Sequence, residues 1–206
     1  MQKKHVVLYV EGPTDEEFYN QLKEHIKKKI PERKFKVDSI DVICINGIAK
    51  FSTKLLAKFK KETLKKHPNE QIVVFLCYDY DVFEYGVHPP INRDQLEADL
   101  YRLGASKVIR LVANRTIEDW FMHDEQGILR YLRLKKETKI KGANGLEKIK
   151  YLFNCANRVY QKGSKVENFI KHLNMDIICS KICNEISSLC IELGSECLIC
   201  HQKKEK

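Results

Sequence analysis

Glu11, Asp79, Asp81 and Glu118 are the residues whose type and placing could hold a divalent metal ion. Glu11 follows the apolar run HVVLYV. Asp79 and Asp81 frame Tyr80 directly after QIVVFLCY, and Glu118 comes a few residues after KVIRLV. Each stands just past a segment that reads as a buried strand, and in an open parallel sheet ligands sit beyond the carboxyl ends of the strands. Side chains alternate along an extended chain, so Asp79 and Asp81 are expected to point the same way. Carboxylates gathered at a partly buried edge repel one another, and each costs stability unless protonated or paired. A divalent cation removes that cost, and a set of hard oxygen ligands suits magnesium, which keeps several of its waters. Asp119 competes with Glu118 for this role, and either could instead start a helix.

The other acids beside Glu11 carry a different expectation. In LYVEGPTDEEFY, the residues Asp15, Glu16 and Glu17 read as the acidic first turn of a helix, where they suit the helix dipole. Thr14 with Glu17 three positions on reads as a capping box. His5, His88 and His123 have no partner at ligand spacing and read as structural. Of eight cysteines, five lie between Cys179 and Cys200. Cys197 and Cys200 form a C-x-x-C followed by His201. Cys179 and Cys183 could complete a zinc site or could simply fill the apolar face of a helix.

Four apolar runs, at residues 5–10, 41–45, 71–78 and 107–112, alternate with helical patterns. Phe18, Leu22 and Ile26 form one stripe, and Ile48, Phe51, Leu55 and Phe59 form another. RDQLEADLYRLG gives a third helix, and TIEDWFMHDEQGILRYLRL is at least partly helical. Alternation of this kind predicts an α/β fold with a mainly parallel four-stranded sheet and helices on both faces. From Gly145 onward only helical signals remain. The expected division is a catalytic domain over residues 1–135 and a helical extension over 136–206 packed on it.

The chain has 206 residues and a formal net charge of +9, concentrated in lysine-heavy segments such as KFKKETLKKH. That balance favours polyanionic partners, nucleic acid above all, over a merely solvated lysine face. The apolar runs are too short to span a membrane, and the amino-terminal run lacks a cleavage site, so a cytoplasmic protein is expected.

VEGPTDEEFY after a first strand, with the D-x-D of YDYD after a third, resembles the Toprim domain, nearest the short standalone OLD-like and RloB-like nucleases. IEDWFMHD is similar to the E-x-W segment of those members, and VYQKGSKVENFIKHL to a Tyr-x-Lys segment near the end of some of them. The resemblance implies a Rossmann-like fold and a Mg²⁺-dependent site, with Mn²⁺ as a substitute. Glu11 would be metal ligand or acid/base, Asp79 and Asp81 metal ligands, and Glu118 the glutamate of E-x-W. Lys162 matches a lysine that touches phosphate. Topoisomerases and primases often carry a third aspartate after D-x-D, where Val82 and Phe83 stand here, and this favours the nuclease branch. The implied function is hydrolysis of phosphodiester bonds in DNA or RNA, with Arg115 and the lysine-rich helices on flanking phosphates. An antiphage-defence setting with a separately encoded ATPase partner follows by analogy, since the sequence has no Walker A motif. Two other readings stay open: a non-catalytic nucleic-acid-binding or regulatory Toprim subunit, and a phosphoryl-transfer enzyme acting on a small nucleotide.

Overall fold

The computed structural model describes residues 2–81, 91–162, 164 and 168–195. Four strands form one sheet: β1 (Lys4–Val10), β2 (Ser39–Cys44), β3 (Gln71–Asp79) and β4 (Lys107–Ala113). The order is β2-β1-β3-β4 and every pairing is parallel. Parallel strands joined by crossovers need both faces covered, which is why their sequences are almost continuously apolar.

Residues of β1 alternate between two cores. Val6, Leu8 and Val10 face one side, with Phe18 and Leu22 of α1 (Pro13–Lys29). Val7 and Tyr9 face the other, with Phe51, Leu55 and Phe59 of a long helix, α2 (residues 48–66), and Leu96 and Leu100 of α3 (Arg93–Leu103). Along α2 the buried residues recur every four positions, which overshoots an α-helical turn by about 40° at each step. Two π-helical stretches, Phe51–Leu55 and Phe59–Thr63, widen the turn and keep that row against the sheet. α3 begins at Asn92, whose side chain accepts from Gln95 N, and ends at Gly104 in the left-handed conformation.

The first core also takes the remaining helices: α4 (Ile117–Phe121), α5 (Glu125–Leu132), α6 (Gly145–Cys155), α7 (Met175–Lys181) and α8 (Ser187–Leu193). Leu152, Phe153, Ile178 and Leu189 from this carboxyl-terminal part share one hydrophobic cluster with β1 and β3. Each such fully buried side chain contributes roughly 1.5–3 kcal/mol. No helix among the described residues is long and apolar enough to cross a membrane.

The start of α1 differs from the sequence expectation. Gly12 is the N-cap and Pro13 takes the first helical position, so Thr14 lies inside the helix and caps nothing. Proline is favoured there because its missing N–H would have had no helical partner anyway. Thr14 is instead buried, and its hydroxyl donates to Ser164 O at 2.7 Å. Cys197, Cys200 and His201, for which a zinc site and apolar filling are the two readings, lie outside the described residues, as does His88.

Candidate functional site

The strand order reverses at β1: the chain passes from β1 to β2 on one side, and β3 lies on the other. This topological switch point opens a crevice at the carboxyl ends of β1 and β3. A cleft of about 420 Å³ lies there, lined by Glu11, Asp15, Asp79, Glu118 and Lys162 together with the start of α1 at Gly12–Thr14 and the Asn46–Gly47 turn.

Glu11 leaves β1 and spans the switch point, its Oε1 accepting from Asp79 N at 3.0 Å. Asp79, the last residue of β3, is buried; its Oδ1 accepts from Ile117 N at 2.9 Å, which fastens the start of α4 to the strand end. Beyond β3 the chain keeps bonding to the exit of β4, through Tyr80 N to Ala113 O and Asp81 N to Arg115 O. That continuation brings Asp81 beside Asp79. Lys162 Nζ lies 2.8 Å from Asp79 Oδ2 and 3.2 Å from Asp81 Oδ2.

Glu118 and Asp119 separate cleanly. Asp119 turns back on its own helix start, its carboxylate accepting from Thr116 N and Oγ1 and from Gly145 N. Glu118 turns into the cleft and is buried, with Oε1 accepting from the Tyr160 hydroxyl at 3.0 Å. A side chain at Gly145 would collide with the Glu118–Asp119 backbone, its Cβ within 2.6 Å of three backbone atoms. The glycine therefore lets α6 press on the segment that aims Glu118. Trp120, the fourth residue of IEDWF, donates from its indole to Glu185 at 2.8 Å.

Asp15 is the residue the sequence reading missed. It sits in the first turn of α1, as expected, but it also lines the cleft with the other acids. Helical side chains lean toward the amino terminus of their helix, which carries Asp15 back over the end of β1. Its spacing of four from Glu11 was the available signal.

The electrostatics follow from crowding. Burial, with the Asp79 charge next, pushes the Glu11 carboxyl up to about 7. Burial raises Asp79 to about 6, against the opposing pull of the Lys162 ammonium. Asp15 is raised well above the usual carboxylate range by burial and by Asp79, Glu11 and Glu118. Lys162 is held charged by Asp79, Glu118 and Asp81, which outweigh its partial burial. Two carboxylate oxygens, Asp81 Oδ1 and Glu118 Oε2, are buried without a hydrogen-bond partner. Hard oxygen donors in surplus, two of them orphaned, fit a magnesium-type ion, with Glu11, Asp15, Asp79, Asp81 and Glu118 as the residues able to hold it.

Arg115 does not line this cleft. It is exposed in a neighbouring depression with Asn114, His123, Lys148 and Lys181. His5, expected to be structural and without a partner, stacks on His67 with ring centroids 3.6 Å apart; the sequence separation hid that pairing.

An α/β fold with a four-stranded parallel sheet and an acid-lined crevice at its switch point is consistent with the Rossmann-like fold of a Toprim domain. Residues 6–76 match the family described as OLD-like TOPRIM 1, as the resemblance of the glutamate loop implied. The match runs from β1 into β3; it contains Glu11 and Asp15 and stops short of Asp79, Asp81 and Glu118. No curated protein and no solved structure matches the chain. A domain of this class binds divalent metal and acts on nucleic acid.

Proposed function

We propose that the protein is a Mg²⁺-dependent nuclease that hydrolyses phosphodiester bonds in DNA or RNA, with Mn²⁺ able to replace Mg²⁺. The observation that carries this reading is the imbalance in the cleft: four carboxylates line it and a fifth, Asp81, joins them through Lys162, whose ammonium is the one cation among the described lining residues. Such a cluster is fully ionised at neutral pH only with added positive charge.

Bound Mg²⁺ would supply a polarised phosphoryl oxygen and an acidified water. The remaining work falls to side chains of this chain. Glu11, raised to about 7 and half-buried at the rim, is poised to accept a proton from the attacking water near neutral pH. Tyr160 fixes one oxygen of Glu118 and leaves the other directed at the site. Lys162 offers its charge to the scissile phosphate when Asp79 and Asp81 find another cation. Arg115, and Lys50 and Lys54 at the cleft end of α2, contact flanking phosphates, which positions a strand without reading its bases. Residues 136–206 act as an extension that completes the site through Tyr160 and Lys162. The cytoplasm, an antiphage system and a separate ATPase subunit are the setting we assign to this activity.

A second reading, a nucleic-acid-binding Toprim subunit without catalysis, is favoured by one contact: Lys162 already neutralises Asp79 and Asp81 in part. The two separate on incubation with plasmid DNA, single-stranded DNA and tRNA in Mg²⁺, Mn²⁺ or EDTA. Metal-dependent cleavage that disappears in Asp79→Ala and Glu11→Ala supports the nuclease. Binding without cleavage in any metal, in cell extract as in purified form, overturns it.

A further inference from the structure

At the opposite end of the same sheet, three side chains distant in sequence meet. His5 is the second residue of β1, Asp41 lies in β2, and His67 closes α2. In the parallel register His5 pairs with Ser39 and Val7 with Asp41, so His5 and Asp41 share the face on which α2 packs. The ring of His5 is fully buried and that of His67 nearly so. Asp41 Oδ2 lies 4.0 Å from His5 Nε2 and 3.9 Å from His67 Nε2. Both Nε2 atoms are buried without a hydrogen-bond partner.

The other ring nitrogens show what those orphans are. His67 Nδ1 lies 3.2 Å from Glu70 Oε2, and a carboxylate can only accept, so Nδ1 carries the hydrogen. In the neutral ring Nε2 is then a bare lone pair, aimed at a carboxylate oxygen that is also an acceptor. His5 Nδ1 is engaged by Ser39 Oγ at 2.7 Å, which again leaves Nε2 for the gap. The two Nε2 atoms are the unsatisfied ones, and both face Asp41 Oδ2, which accepts from Lys66 Nζ on its outer side; a cation in the gap satisfies both imidazoles and draws on the same carboxylate. A carboxylate on the far nitrogen of a ligating histidine is the usual support in metal sites, and Glu70 occupies that place.

We propose that His5 Nε2, His67 Nε2 and Asp41 Oδ2 form a second metal site, for zinc or a similar borderline divalent ion. Two imidazoles and one carboxylate with a fourth position for water is a zinc-type ligand set, and imidazole nitrogen discriminates against magnesium. The three ligand atoms lie within 4.8 Å of one another. A tetrahedral zinc spaces its ligand atoms by roughly 3.3 Å, so binding draws them together and splays the stacked rings. Two features ease this. Burial and the neighbouring His67 lower His5 to about 4, so it is neutral and ready to ligate at physiological pH. Lys66, whose ammonium lies 2.9 Å from Asp41 Oδ2, is largely exposed and can swing into water as the ion enters. The ion ties β1, β2 and the end of α2 together, and so acts on stability at the end of the sheet remote from the acid cleft.

The test is zinc retention. Chelator-stripped protein is loaded with ZnCl₂ in excess Mg²⁺, desalted and measured for bound zinc and thermal unfolding, as wild type, Asp41→Asn, His67→Gln and Asp79→Asn. The expected result is a zinc content lower by one equivalent in Asp41→Asn and in His67→Gln than in wild type and Asp79→Asn. Zinc also raises the melting temperature of wild type and not of Asp41→Asn. Cobalt in place of zinc gives the visible absorption of a tetrahedral nitrogen and oxygen site, absent from both variants. Asp41 is partly exposed and its change to Asn is isosteric, so its far-UV circular dichroism serves as the folding control. Equal zinc content in all four proteins, or a wild type that keeps none, means that the gap holds only a water, and the proposal falls.

Discussion

The two ends of the sheet carry polar clusters of opposite character. At the carboxyl ends of the strands, five carboxylates and one lysine meet, all oxygen donors but for that ammonium. At the amino ends, two stacked imidazoles share one aspartate. Both clusters contain buried atoms without partners, and both call for positive charge. The lesson is that donor chemistry, more than the presence of a cluster, divides the labour. Hard carboxylates suit a hydrated magnesium beside a phosphodiester, and imidazoles suit a tightly held ion in a structural place.

The largest expected effect separates the ends directly. Asp79→Asn keeps the shape of β3 and its bond to Ile117 N but removes a negative charge from the centre of the acid cluster. Cleavage in Mg²⁺ is expected to fall by on the order of 10²–10⁴, with zinc retention at the other end intact. Loss of zinc together with cleavage would show that the two ends are one functional unit and would break the comparison.

Lys162→Met is next. Among the described residues it strips the only paired ammonium from buried Asp79, and in EDTA the unfolding free energy is expected to drop by about 1–3 kcal/mol, less than for a wholly buried pair because Lys162 is partly exposed. Mg²⁺ should recover most of that loss, since the ion replaces the ammonium. A loss equal in EDTA and in Mg²⁺ would mean that Lys162 serves packing more than charge.

The two ends also differed in how far the sequence disclosed them. Glu11, Asp79 and Asp81 stand at or just past a strand end and Glu118 a few residues beyond one, so the rule that ligands gather at strand carboxyl ends pointed to them together. All four strands were legible as apolar runs; β1 and β3 are buried on both faces and leave little else to read, and the half-buried edge strands β2 and β4 still keep short apolar runs. Asp15 escaped because an acid in a first helical turn has a sufficient local reason to be there. Thr14 was misplaced because proline at the first helical position moved the helix start two residues earlier. The histidine cluster had no local signature: positions 5, 41 and 67 meet only through parallel pairing and the length of α2, and α2 keeps its row through π-helical turns that no spacing rule anticipates. Lys162, by contrast, was found through resemblance alone, and its neighbours come from a segment whose fold the sequence gives only as helical.

The response to pH should carry opposite signs at the two ends. Folding raises Glu11 to about 7 and Asp79 to about 6, above their unfolded values. Their contribution is therefore full at acid pH and is lost as pH rises toward 7, because the folded state holds the protons more tightly. Folding lowers His5 to about 4, so its contribution runs the other way and is lost as pH falls from 6.5 toward 4. In EDTA these acids, with Asp15 raised in the same direction, outweigh one histidine, and stability between about pH 5 and about pH 7 should fall with pH by at least roughly one kcal/mol per unit. Saturating Mg²⁺ holds the acids ionised and should reverse the slope, leaving the histidine to dominate. Melting temperatures across that range in EDTA and in Mg²⁺ check the reversal, and parallel curves would refute it.

The smallest effect concerns exposed cations, and it tests whether the carboxyl end alone meets nucleic acid. Arg115 stands beside the cleft, its backbone carbonyl holding Asp81 N, whereas Lys66 stands at the far end beside Asp41. A side chain that neutralises one phosphate releases about one counterion, so Arg115→Ala should lower the slope of log K against log salt by about one, with an affinity loss of a few fold at moderate salt. Lys66→Ala should leave the slope unchanged, because a strand seated over the acid cleft does not reach the amino ends of the strands. Fluorescence anisotropy of labelled single-stranded DNA in Ca²⁺, over a series of salt concentrations, measures both. Equal slopes for the two variants would place the strand along the whole length of α2 and its lysines, and the division between the ends would then hold for metals but not for nucleic acid.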